Sequence, residues 1–147
     1  MPNGIIPDES LDIPLVYWLK QPISGVGDWK LILWVNDYVP VAGTTMANLT
    51  EATWGGYSRI TMTRSLWQSP VISAGCGTIQ WGTSPWVYFV TGGPIQTNYG
   101  WAMLDEASGK VRWVQRFDPD DLDPIEIGGK FVFWPTITGT SAACAGP

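Results

Sequence analysis

The stretch "YGWAMLDEASGKVRWVQRF", residues 99 to 117, decides the fold class. Two runs that alternate between faces flank "DEASGK", and Gly109 can take the left-handed backbone angle that a short hairpin loop with a bulge requires. The stretch therefore predicts an antiparallel hairpin. Working outward, "WKLILWVND" (29–37) places Trp29, Leu31, Leu33 and Val35 on one face by the two-residue strand period. Ile32 and Trp34 fall on the other face, so both sides of this strand are expected to be partly covered. Further short runs rich in Val, Ile, Thr and aromatics follow at 57–63, 69–74, 77–82, 86–91 and 131–138, separated by Gly, Pro, Ser and Asn. No stretch keeps a 3.6-residue period, and none repeats. The reading is an all-β protein, an antiparallel β-sandwich or barrel of about eight short strands over residues 29–138.

Residues 1–28 read differently. Pro2, Pro7, Pro14 and Pro22 fix backbone angles and remove amide donors, so the segment is expected to be an extended N-terminal arm rather than a helix. Its one apolar run is Leu15, Val16, Tyr17, Trp18 and Leu19. An arm of this kind either packs along its own domain or reaches a neighbouring subunit, and these five residues are the candidate interface anchors. Residues 139–147 form a small-residue C-terminal tail.

The chain has 147 residues, the size of one ordinary domain. Only 14% of residues are charged, while 45% are hydrophobic and ten are Trp. A surface so poor in charge is better suited to burial against partners than to isolation in water, which points to a homo-oligomer or a larger assembly. A net charge of -5 and scattered Lys and Arg argue against nucleic acid, whose phosphates require clustered cations. No run approaches the ~18 apolar residues that would span a bilayer. "MPNGIIPDES" lacks the cationic and hydrophobic regions of a signal peptide, so no membrane and synthesis in a cytoplasm are expected. Cys76 and Cys144 make neither a disulfide framework nor a zinc site; they either pair with each other or remain free thiols.

There is no histidine, which removes the commonest general base and most zinc sites. A carboxylate-only enzyme needs two acids facing each other in a cleft, and nothing in the sequence brings Asp37, Glu51, Asp105 and Glu126 together. No enzymatic activity, cofactor or metal is expected. The densest polar cluster, "DPDDLD", holds Asp118, Asp120, Asp121 and Asp123; it could offer oxygens to a hard cation, but Asp-Pro pairs more commonly open solvated turns. "TGGP" (91–94) and "IGGK" (127–130) lack the pattern of a phosphate loop and read as turns.

The tryptophans suit sugar faces, protein interfaces and core filling alike. "WGGY" at 54–57 is read as a bend: Gly55 and Gly56 let the chain turn sharply and pack its backbone closely, while Trp54 and Tyr57 anchor it in the core. Two phrases resemble a group of small tailed-phage virion proteins. One is Leu49, Thr50, Glu51, Ala52, Thr53, Gly56 and Tyr57; the other is Tyr99, Gly100, Asp105, Gly109, Trp113, Arg116 and Phe117. The resemblance covers residues 29–138 and implies a virion structural role without choosing head or tail. It leads to the expectation of a capsid decoration, or cement, protein. Such a protein would sit on the major capsid protein lattice as a trimer or dimer, with arm and tail tying neighbours together. The alternative is a glycan- or receptor-binding module of a tail fibre or baseplate.

Overall fold

The computed structural model describes residues 28–68, 71–73 and 76–138. Among them are nine strands, every pairing antiparallel, with three short 3-10 turns and no α-helix. In chain order the strands are β1 (Trp29–Trp34), β2 (Ile60–Met62), β3 (Val71–Ser73), β4 (Cys76–Gln80), β5 (Trp86–Phe89), β6 (Gly100–Asp105), β7 (Lys110–Arg116), β8 (Lys130–Phe133) and β9 (Thr136–Thr138). They form three small sheets, ordered β2-β1-β6-β7, β3-β4-β9 and β5-β8.

The all-β expectation of about eight short strands holds, and one predicted strand is divided. Residues 131–138, predicted as a single strand, are two strands in different sheets: β8 pairs with β5 and β9 with β4. The break falls at Trp134-Pro135. Proline has no amide hydrogen to continue a ladder and constrains the residue before it, while the Pro135 carbonyl accepts from the Trp81 amide at 2.9 Å.

The four-stranded sheet is buried on both faces, and every residue of its central strand β6 is buried. Trp29, Leu31, Leu33, Trp101, Met103 and Trp113 line one face, packed with Trp81, Tyr88 and Ile137 from the smaller sheets and their flanks. Ile32, Trp34, Ala102, Leu104, Val111 and Val114 line the other, under Tyr38, Met46 and Leu49 of the long loop after β1. Arg116 ties that loop to β7, donating to the Tyr38 carbonyl at 2.8 Å and pairing with Asp37 at 2.7 Å.

The hairpin closes as the sequence predicts. Gly109 has φ of 71° and donates to the Asp105 carbonyl at 2.8 Å. The β6–β7 register shifts between Met103 and Leu104, so that Arg112 is the extra residue of a bulge. Its buried guanidinium pairs with Asp105 at 2.8 Å, and the Ser108 hydroxyl donates to the same carboxylate oxygen at 2.8 Å.

The Trp54–Tyr57 bend is likewise architectural. The Gly55 amide donates to the Gly92 carbonyl at 3.0 Å and the Thr91 amide to the Gly55 carbonyl at 2.9 Å, so two backbones meet face to face. Gly56 has φ of 94°, and a Cβ there would run into the Phe89 carbonyl oxygen. Trp54 is buried and its indole donates to Asn98 at 3.1 Å. The strand begins at Ile60 rather than Tyr57, because the Tyr57 amide is spent closing the turn onto the Trp54 carbonyl.

Candidate functional site

The most unusual surface belongs to the two-stranded sheet. Successive side chains of a strand point to opposite faces, and "WVYF" of β5 and "KFVF" of β8 are apolar on both. Tyr88, Phe131 and Phe133 turn inward to the core. Outward stand Val87 and Val132, directly opposite each other, and Phe89 opposite Lys130. Phe89 is 61% exposed, Val132 50% and the neighbouring Trp134 47%. The Lys130 ammonium lies 5.3 Å from the Phe89 ring centre and makes no ion pair with a described residue. Ile95 and Ile127, both exposed, line a cleft together with Lys130.

Beside this face lies an open cleft of about 850 Å³. The buried Val90 and Ile125 line it together with Phe131, and Asp121, Asp123 and Glu126 supply its acids. Such a cleft offers oxygen acceptors beside apolar surface, chemistry that suits hydroxyl- or ammonium-bearing groups. Asp118 of the same acidic stretch is committed to its own turn, its carboxylate accepting from the Asp120 amide at 3.1 Å. Among the described residues no group of three or more His, Cys, Asp or Glu is arranged to hold a metal ion.

Asp37, Glu51 and Asp105 are each held by an arginine. Asp105 pairs with Arg112 and Asp37 with Arg116. Glu51 receives Arg59 at 2.7 Å and the Tyr57 hydroxyl at 2.7 Å, and Arg59 also reaches Glu106 at 2.7 Å. Burial pushes the Glu51 carboxyl up, but hydrogen bonds from Arg59 and Tyr57 outweigh it and leave it below the ordinary value. The same balance holds Asp105 low, with burial opposed by hydrogen bonds from Arg112 and Ser108. Burial, followed by the hydrogen bond to Glu51, raises the Tyr57 phenol well above its ordinary value. These groups are fixed anions and a fixed neutral phenol, suited to fastening loops.

Of the tryptophans, Trp29, Trp34, Trp54, Trp67, Trp81, Trp101 and Trp113 are buried; Trp134 is exposed. The candidate anchors Leu15, Val16, Tyr17, Trp18 and Leu19 lie outside the described residues, as do Cys144 and the side chain of Cys76. Sequence reasoning missed the outward face of β5–β8. Its signal is legible in hindsight as two strands, "WVYFV" and "FVFW", that are apolar at consecutive positions rather than alternate ones. Comparison of the chain with protein-family models, with curated proteins and with solved structures finds no match.

Proposed function

We propose that this chain is a structural protein of a tailed-phage virion, and specifically a capsid decoration (cement) protein acting through surface burial rather than chemistry. The observation that carries the reading is the outward apolar face of Val87, Phe89, Val132 and Trp134. Contiguous apolar surface on a soluble domain marks a place where another surface sits. The low charge of the chain and its resemblance to small virion proteins support the same reading. In this role the protein adds buried area between neighbouring capsomers and so stabilises the shell by mass action, binding the assembled state and not its alternatives. Residues 15–19 are the anchors that tie neighbouring subunits together, with the major capsid protein and further copies of this chain as partners.

A second reading, a glycan- or receptor-binding module of a tail fibre or baseplate, draws on the acid-lined cleft and the exposed Trp134. Against it, the described residues present no row of exposed tryptophans of the kind that stacks on sugars, since seven are spent in the core. Co-sedimentation of the full chain with expanded capsids tests the first reading. Saturable binding, weakened by replacing Tyr17 and Trp18 with Asp, is the expected result. Absence of saturable binding, together with retention on a glycan array, would replace it with the second.

A further inference from the structure

We infer that the outward face of the β5–β8 sheet is the seat of this chain's own apolar run, residues 15–19. The inference rests on reading that run as an interface anchor, and it assigns to the arm the face that carries the cement reading, so an arm seated in its own chain leaves that reading on the low charge and the resemblance alone.

A run of contacts links the start of the described chain to this face. The Asp28 carboxylate accepts from the Arg64 amide at 3.4 Å. Two residues on, the Leu66 carbonyl accepts from the Gly82 amide at 2.9 Å, and the adjoining Trp81 amide donates to Pro135 at 2.9 Å. Pro135 follows Trp134, the residue at one end of the apolar face. The Trp81 ring also packs 5.6 Å from the ring of Trp86, where β5 begins. Three contacts thus lead from the arm's point of departure to the edge of the seat. Residues 20–28 supply roughly 30 Å of extended chain, at about 3.3–3.6 Å per residue, enough to cover that path.

Length and chemistry agree as well. From Trp134 to Lys130 the face is a few strand residues long, roughly 13 Å at about 3.3 Å per residue. Residues 15–19 in extended form cover about the same length, and Pro14 and Pro22 on either side keep the chain from coiling into a helix. Entering at Trp134, the run lies over Val87 and Val132 and ends at Lys130. The acids Asp121, Asp123 and Glu126 line one cleft with Lys130 and repel Asp8 and Glu9, so the seat ends at that cleft. Within one chain the tether makes docking an effectively intramolecular event at roughly millimolar local concentration, so a weak intrinsic affinity of about 0.1 mM already seats about nine-tenths of the arms.

The test is the rate at which trypsin cuts the full chain after Lys20, followed by mass spectrometry. A seated arm is cut slowly. Val132→Asp in the seat and the arm variant Y17D/W18D are each expected to raise the rate about tenfold, and combining them is expected to raise it no further. Val132 is half exposed, so its substitution is checked for retained β structure by circular dichroism; the arm variant leaves the β domain untouched. A rate that depends on protein concentration assigns the seated arm to a neighbouring copy, whereas an independent rate assigns it to the same chain and refutes residues 15–19 as ties between subunits; either supports the inference. Cleavage unaffected by the arm variant overturns it. So does a change of oligomeric state in V132D with cleavage after Lys20 unaltered, which would instead make the face a contact between two sheets. Protection that persists in a chain unable to bind capsids refutes the cement reading alone.

Discussion

Replacing Gly56 with alanine is the sharpest test of the bend. Two separate costs arise there. The backbone sits at φ of 94°, where a residue with a Cβ loses about 1–2 kcal/mol. The new Cβ would also collide with the Phe89 carbonyl oxygen, a backbone atom that no rotamer change can move. Relieving the collision separates the two segments and breaks the pair of hydrogen bonds that join Gly55 to Thr91 and Gly92, at about 0.5–1.5 kcal/mol each. The sum is about 2–5 kcal/mol, a large share of the roughly 5–15 kcal/mol by which domains of this size are stable. Gly109 isolates the first cost: its φ is 71°, yet a Cβ there meets nothing within 4 Å. Alanine at 109 is therefore expected to cost only about 1 kcal/mol. Urea unfolding of the two variants, followed by tryptophan fluorescence, measures the difference. Equal midpoints for the two would refute the argument that close backbone approach, rather than turn geometry alone, demands glycine at 56.

Arg112→Met leaves the Asp105 carboxylate buried with only the short Ser108 contact and the turn amides for company, and is expected to destabilise by about 3–5 kcal/mol in the same assay. A loss under 1 kcal/mol would mean that water reaches the pair. The pH dependence follows from the direction of two shifts. Asp105 and Glu51 both titrate lower in the folded protein than their ordinary values of 3.8 and 4.5. Their contribution is therefore complete above the ordinary carboxylate range and is lost as pH falls through the lowered native values. Stability should be level from about pH 5 to 7 with respect to these groups and decline below about pH 4. Glu51→Gln should make that decline shallower, and an acid profile unchanged by this substitution would remove Glu51 from the account.

Much of the strand content is written in local pattern. The alternation of 29–34 and the run before and after "DEASGK" specify strands because a period of two can bury only one set of side chains per face, and Gly109 marks the position in the hairpin turn that needs a left-handed angle. The apolar character of Ile32 and Trp34 announced a covered second face for the same reason. Local pattern failed at 131–138, where apolar residues continue across a proline and the direction each half takes depends on partners distant in sequence, β5 at 86–89 and β4 at 76–80.

The same distinction governs the candidate site. Composition by itself established that the chain is rich in aromatics, poor in charge and without histidine, and local periodicity established that it is built of short strands. Which aromatics are core and which are surface is a property of packing, since Phe131 and Val132 are adjacent in the chain and are equally apolar, yet only one of them meets another layer. The assignment of each carboxylate to its arginine was equally invisible, because Asp37 and Arg116 meet only when the long loop after β1 folds over β7. The tertiary structure alone decided that two apolar strands would pair at the margin of the core, with one face inside it and the other exposed.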